Sequence, residues 1–356
     1  MLSCNILGME ISEIEDLNKD KPVSRKQIVM LIAAFCVLCF YFALSWMIDI
    51  RFASKEEERY SKELLSKAQT AGDILSARVK NLSSALNIFR RVYLTEFATE
   101  KRGLGSVIDL FEEELNSFPE LLSLSYMNAT AELVYARGIE GDEGEAAVNA
   151  SIDWTKEYWS RIGPDDEKPF YTPLKLSGGN YLQGILFPVA LEDKIAGGLI
   201  AVIDAGTVGS KSFELVDIPE GASIFLMDMT GKAISSLGKA DNKSAPDVSF
   251  ATKEFMDKAR SSQNGCQFFK VAVTDKAGKR KSAVRMNIAW QQAMLGSKDT
   301  IIAIVSPAED SIRLFRKARL THMLLEFLFA VAVSIAITIF LIEKRKEQHK
   351  SQASPD

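Results

Sequence analysis

FYTPLKLSGGNYLQGILFPVALEDKIAGGLIAVID, residues Phe170–Asp204, decides the fold of this chain. It contains three strand-like runs, Phe170–Leu176, Tyr181–Leu191 and Ile195–Ile203, rich in apolar and β-branched residues. They are broken at Gly178-Gly179-Asn180 and Glu192-Asp193-Lys194, which read as turns. Such short connections force neighbouring strands to run antiparallel. An antiparallel sheet is therefore predicted here.

Upstream lies a hairpin, Leu122–Met127 and Glu132–Arg137 around a short polar turn, followed by a helix over roughly 144–161. Downstream, beyond a linker at Ser210–Glu220, the order begins again. Ser223–Met227 and Lys232–Ser236 flank a turn at Asp228–Gly231, and a helix covers Thr252–Ser261. Strands follow at Cys266–Val273, Ser282–Ala289 and Thr300–Ser306. Hairpin, helix and three strands thus occur twice with little sequence identity, which is a repeat of architecture.

Ahead of both units the apolar positions Leu64, Ala68, Ala71, Leu75, Val79, Leu82, Leu86, Phe89 and Tyr93 recur at steps of three and four. That period predicts one amphipathic helix from about Lys55 to Phe97. At 1.5 Å per residue it would reach roughly 60 Å. A second helix is expected at Ser106–Phe118.

Two apolar stretches bracket these elements, Ile28–Ile48 and Met323–Ile342, each near the roughly 20 residues that span a bilayer. The first follows a charged tail, as a retained helix would and a cleaved leader would not. In the second, Glu326 is expected at the outer boundary, its carboxylate reaching toward water. Lys19, Lys21, Arg25 and Lys26 beside the first stretch, and Lys344, Arg345, Lys346 and Lys350 beside the second, put both tails in the cytoplasm. Arg313, Arg316, Lys317 and Arg319 oppose that orientation, but the rule weakens for intervening loops longer than about 60 residues. The intervening domain is expected outside a bacterial cell membrane, because Cys266 is its sole cysteine and no disulfide can form within it.

Composition excludes several functions. A net charge of −4 does not suit a nucleic-acid partner. Both histidines, His322 and His349, lie outside the intervening domain, which removes Ser-His-Asp and Cys-His catalysis and the usual zinc sites from it. Gly-Asp-Glu-Gly-Glu at 141–145 lacks the spacing of a calcium loop. No enzyme activity, metal or cofactor is expected. Residues 343–356 leave no room for a kinase or cyclase, so any output would pass through a partner.

Three segments resemble the double Cache (PAS-like) sensor domains of bacterial membrane receptors. Ile224–Ile234 has the form apolar strand, Asp-x-x-Gly turn, apolar strand. Leu122–Val134 is a looser version of it. Gly184–Leu191 with Ile195–Asp204 gives paired strands, with a proline in the first, glycines opening the second and an aspartate closing it. The resemblance covers Arg51–Lys317 and implies an α+β fold: a long stalk helix plus two PAS-like mixed α/β units, antiparallel sheets flanked by helices, between two transmembrane helices. The units would be 51–210, membrane-distal, and 211–318, membrane-proximal. The remainder would be a tail at 1–27, spans at 28–48 and 323–342, and a tail at 343–356.

The family implies a small ligand in the distal unit. Many amino-acid-sensing members carry Arg-x-Trp-Tyr before the strands, where the arginine forks onto the ligand carboxylate. Here Glu157-Tyr158-Trp159-Ser160 stands in that place. Trp159, Tyr171 and Asp204 match, while the arginine is replaced by Glu157 unless Arg161 substitutes. Glu157 and Asp204 together would favour an amine or a neutral polar ligand, with cation–π help from Trp159 and Tyr158. Tyr126 completes the candidate set. Trp159 as core and Asp204 as a helix cap are the structural alternatives. The expected partners are the ligand, the bilayer, a separate signalling protein and a second copy in a homodimer, with no nucleic acid. An envelope scaffold without a small ligand is the competing function.

Overall fold

The computed structural model describes residues 25–99, 103–163, 168–191, 194–238, 250–274, 280–296, 298–308, 319–333, 335, 337–339 and 342. The readings made above for the two tails and for the basic residues 313–317 fall outside them, as does the helix that the sequence suggests from Ala308 toward the second apolar stretch. The chain divides into two compact bodies, one formed by Glu56–Leu314 and one by the residues on either side of it.

Helix α1, Arg25–Phe89, contributes to both. From Leu64 to Phe89 its predicted apolar stripe is 4 % exposed or less throughout. At Tyr93 the stripe departs from the expected spacing. Arg90–Leu94 form a π-turn, which inserts one extra residue. Leu94, five residues after Phe89, is then fully buried in the place that a step of four gives to Tyr93. The same turn directs the buried Arg90 inward, where its Nη1 donates to the Pro188 carbonyl. After α2, Leu104–Ser117, come β1, Leu121–Asn128, and β2, Leu133–Gly138. Helix α3, Asp142–Tyr158, carries Asp142, Glu143 and Glu145 in its first turn, where acidic residues complement the helix dipole. That placement gives the 141–145 acidic stretch a structural role.

The first sheet continues with β3, Phe170–Tyr171, β4, Lys175–Ser177, β5, Asn180–Leu191, and β6, Lys194–Asp204. Its order is β2-β1-β6-β5-β3, with β4 also pairing with β5. Between β3 and β4 the run is interrupted at Thr172-Pro173, as a residue without an amide donor would dictate. Helix α4, Ala205–Phe213, occupies part of what reads in sequence as a linker. The second sheet comprises β7, Ser223–Asp228, β8, Ala233–Gly238, β9, Asn264–Thr274, β10, Arg280–Leu295, and β11, Lys298–Pro307. Its order, β8-β7-β11-β10-β9, repeats that of the first sheet, with α5, Lys253–Ser261, in the position of α3.

The repeat extends to atoms. Asn128 Oδ1 accepts from Thr130 N at 3.0 Å and Glu132 N at 2.9 Å, and Asp228 Oδ1 accepts from Thr230 N at 2.8 Å and Lys232 N at 2.9 Å. The fourth residue of each turn has positive φ, 63° at Ala131 and 93° at Gly231. Both hairpins are the same side-chain-locked turn.

Strand alternation sends odd residues of β5 and β6 toward α1 and even ones toward α3. Ile185, Phe187, Leu199 and Ala201 join the α1 stripe, and so do Ile224, Leu226, Ala289 and Ile302 of the second sheet. The opposite faces carry separate cores, Trp154, Leu182, Leu186, Ile200 and Val202 under α3, and Phe255, Phe269, Trp290 and Ile301 under α5. Cys266 donates to Asn287 Oδ1 at 3.0 Å, and burial pushes its thiol pKa up to about 11. It is a packing residue.

In the other body, α6, Arg319–Ile339, is long and apolar enough to cross a membrane. Glu326 does more there than reach for water. With its side chain 10 % exposed, it accepts from Ser45 Oγ of α1 at 2.7 Å and faces His322 Nδ1 at 3.4 Å. Arg319 pairs with Asp49 at 3.4 Å and lies over the Trp46 ring at 4.7 Å. The two apolar helices are thus joined by polar contacts at this end.

Candidate functional site

The end of α3 gathers four of the seven candidate residues. Trp159–Arg161 continue α3 as one 3-10 turn, which lays Trp159 back against the sheet. A Cβ at Gly198 would come within 2.4 Å of the Trp159 ring, so the glycine is what admits the indole. Tyr158, 7 % exposed, stacks at a tilt on Phe170 with centroids 5.3 Å apart. Its hydroxyl is hydrogen-bonded to the Glu157 carboxylate, which, with burial second, raises the phenol pKa above its ordinary value. The Arg161 guanidinium lies 4.9 Å from the Tyr158 ring centre. The aromatic face open to a guest cation is therefore already held by the chain's own cation.

The remaining three residues lie elsewhere. Asp204 closes β6, six residues beyond Gly198, or roughly 20 Å along the strand. Its carboxylate caps α4, accepting from Gly206 N at 3.0 Å, Thr207 N at 3.1 Å and Thr207 Oγ1 at 2.6 Å. This is the helix-cap alternative, realised, and it separates the two carboxylates that would make an acidic pocket. Tyr126 and Tyr171 are on the α1 face of the sheet. Tyr126 meets Phe97 edge-on at 5.2 Å, and burial raises its pKa. Its hydroxyl covers Gly197, where a Cβ would lie 2.4 Å away. Tyr171 rests on Gly296 of the β10–β11 turn. The glycine pair opening β6 thus seats one aromatic on each face of the sheet, Tyr126 on one and Trp159 on the other. Two adjacent glycines opposite large aromatics were the sequence signal for this.

Beneath α3 the sheet face is filled by Trp154, Tyr158, Leu182, Leu186, Ile200 and Val202, and Ser125 and Ser151 hydrogen-bond there at 2.9 Å. Trp154 packs over Gly184 as Trp159 does over Gly198. Among the described residues no group of three or more His, Cys, Asp or Glu side chains could hold a metal.

No family model matches the sequence, and no curated protein does. Solved structures match the fold. The extracellular domain of vpHK1S-Z8, described as a histidine kinase, superposes with a TM-score of 0.52 at 14 % identity, covering 73 % of this chain and 95 % of that one. The periplasmic sensory domain of the Campylobacter jejuni chemoreceptor Tlp1 follows at TM-score 0.49 and 11 % identity, covering 72 % and 98 %. The ligand-binding domain of Campylobacter jejuni Tlp3 in complex with L-valine has TM-score 0.48 and 14 % identity, covering 73 % and 97 %. The neighbours are extracellular and periplasmic sensory domains of histidine kinases and chemoreceptors, in keeping with the double Cache resemblance. The chain has the fold of such a domain: a long helix with two antiparallel sheets flanked by helices.

Proposed function

We propose that this chain is a membrane-anchored extracytoplasmic sensor of a small molecule, held by α1 and α6 and reporting through them to a separate output protein. The observation that carries the reading is the repeated two-sheet fold on one long helix, shared over nearly the whole of a histidine kinase's extracellular domain. A ligand of the first unit would meet the cluster at the end of α3. There Glu157 and Arg161 are exposed and Trp159 is half-buried, so guest binding means exchanging the Tyr158–Arg161 contact for one with the ligand. Ligand-dependent exchange of that kind biases one of two pre-existing arrangements.

The side of the membrane is directly testable. In the full chain with Cys4, Cys36, Cys39 and Cys266 replaced, Ala129→Cys places a thiol on the exposed first hairpin turn. Membrane-impermeant maleimide is expected to label it in intact cells. Labelling only after lysis would put the sheets in the cytosol and remove the sensor reading.

One observation favours the scaffold reading instead. The α3 face is packed by its own side chains, while β2, an edge strand, exposes Leu133 and Val134 at 41 % each. Edge strands with exposed apolar residues are pairing surfaces. Small-molecule binding by the intact chain separates the two.

A further inference from the structure

Helix α1 carries a second, polar stripe beside its apolar one. Gly72 packs closely on Gln291 of the second sheet, and beyond it a cleft of about 690 Å³ opens against Ser76, Ser83 and Ser84. Its other walls are the Lys168–Tyr171 segment and the end of β10 with Gly296. Small-molecule sites typically run from about 300 to 1,000 Å³. The cleft lies on the α1 face, across the first sheet from the Glu157–Trp159 cluster.

Its polar groups are left wanting donors. Asn87 Oδ1 is buried with no hydrogen-bond partner among the described residues, and buried polar groups in folded proteins are as a rule satisfied by protein, ordered water or a ligand. Ser83, 7 % exposed, makes no hydrogen bond among the described residues. On the opposite wall, Gln291 Nε2 is committed to the Gln292 carbonyl at 2.7 Å. The Gln291 amide oxygen is therefore what this side chain has left to offer. Acceptors and serine hydroxyls in this proportion suit a ligand rich in hydroxyl donors. Lys80 and Lys168 line the cleft against Asp73 alone, and none of the three has an ion pair among the described residues. The lining holds one net positive charge.

We infer that this inter-sheet cleft is a binding site for a small hydroxylated anion, a sugar acid or hydroxy acid, distinct from the cluster at the end of α3. Its occupant would touch both sheets at once. At that junction Gln183 Nε2 of β5 donates to the Leu295 carbonyl at 3.0 Å, and Tyr171 packs on Gly296. A guest here stiffens the seam between the two units. The inference goes beyond the sensor reading and does not need the α3 cluster to bind anything.

The test uses the full chain in lipid nanodiscs, with melting temperature and calorimetric titration as readouts. The probes are gluconate, glucuronate and malate, with sorbitol as a neutral match and glucosamine as a cationic one. At least one of the acids is expected to raise the melting temperature by roughly 5–10 °C at a hundredfold excess over its Kd. Sorbitol and glucosamine are expected to do far less. Lys80→Glu and Ser84→Trp, both at exposed positions of α1, should weaken the acid about tenfold or more while leaving the ligand-free melting temperature near that of the parent. Trp159→Ala should leave its affinity unchanged. No shift with any of the acids would overturn the inference, as would a shift that survives both cleft variants. A shift lost in Trp159→Ala but kept in Lys80→Glu would overturn it while upholding the sensor reading.

Discussion

Arg78→Met is expected to destabilise the two-sheet body by about 3–5 kcal/mol, the cost of stranding a buried carboxylate. The carboxylate is that of Glu120, whose side chain is 3 % exposed just before β1. Arg78 Nε, from α1, meets Glu120 Oε1 at 3.0 Å, and Nη2 approaches Oε2 at 3.5 Å. The Glu120 main chain also accepts from Asp204 N at 2.9 Å, so this one residue ties α1, β1 and the end of β6 together. The two partners are unequal. Arg78 retains 27 % side-chain exposure and finds water when Glu120 is removed, whereas Glu120 does not when Arg78 is removed. Glu120→Gln should therefore cost less than Arg78→Met, and the double variant Arg78→Met/Glu120→Leu should recover most of the loss. Thermal melts are expected to fall by roughly 6–20 °C for Arg78→Met. A loss below about 1 kcal/mol would mean that the pair is solvated and structurally idle.

Trp290→Ala is expected to cost about 3–5 kcal/mol as well, by a different mechanism, the opening of a cavity. Trp290 is 2 % exposed and is the hub of the second sheet's outer core. Its ring meets Phe255 at 5.9 Å and Phe269 at 6.3 Å, both edge-on, and its Nε1 donates to Ser262 Oγ at 3.2 Å. Gly265 on β9 makes the room, since a Cβ there would lie 2.3 Å from the indole. Trp290→Phe should retain most of the packing and lose only the hydrogen bond and some area. Hydrogen exchange should show the loss concentrated in β9, β10 and α5. Protection lost equally from the first sheet would contradict two separate outer cores.

The elements with a clean period were readable from residues alone. The α1 stripe and both hairpins declare themselves because burial on one face demands a spacing of 3.6 or 2. The π-turn at Arg90 was not legible, since nothing local distinguishes a step of five from one of four until Leu94 is seen buried. Strand β10 runs to Leu295, well past the expected Ala289, although Gln291 and Gln292 look like loop residues. Gln292 instead serves the carbonyls at the end of α5. Helix α4 is disguised by its Gly and Ser content and is announced only by the cap at Asp204.

At the site, the residues close in sequence, Glu157 to Arg161, are close in space. Tyr126 and Tyr171 belong to the same candidate set by resemblance, whereas strand parity puts them on the other face. The inter-sheet cleft draws on α1, on Lys168–Tyr171 and on the end of β10, three segments that no local pattern links.

The sensor reading rests on a head that accepts a small guest. A broad library of amino acids, amines, polyols and organic acids, screened by melting temperature on the full chain in nanodiscs, measures that directly. The account predicts that at least one soluble metabolite raises the melting temperature in a saturable way, and that a substitution at Trp159 or at Lys80 removes the effect. A library that leaves the melting temperature flat throughout, while a protein partner binds the β2 edge, would contradict it.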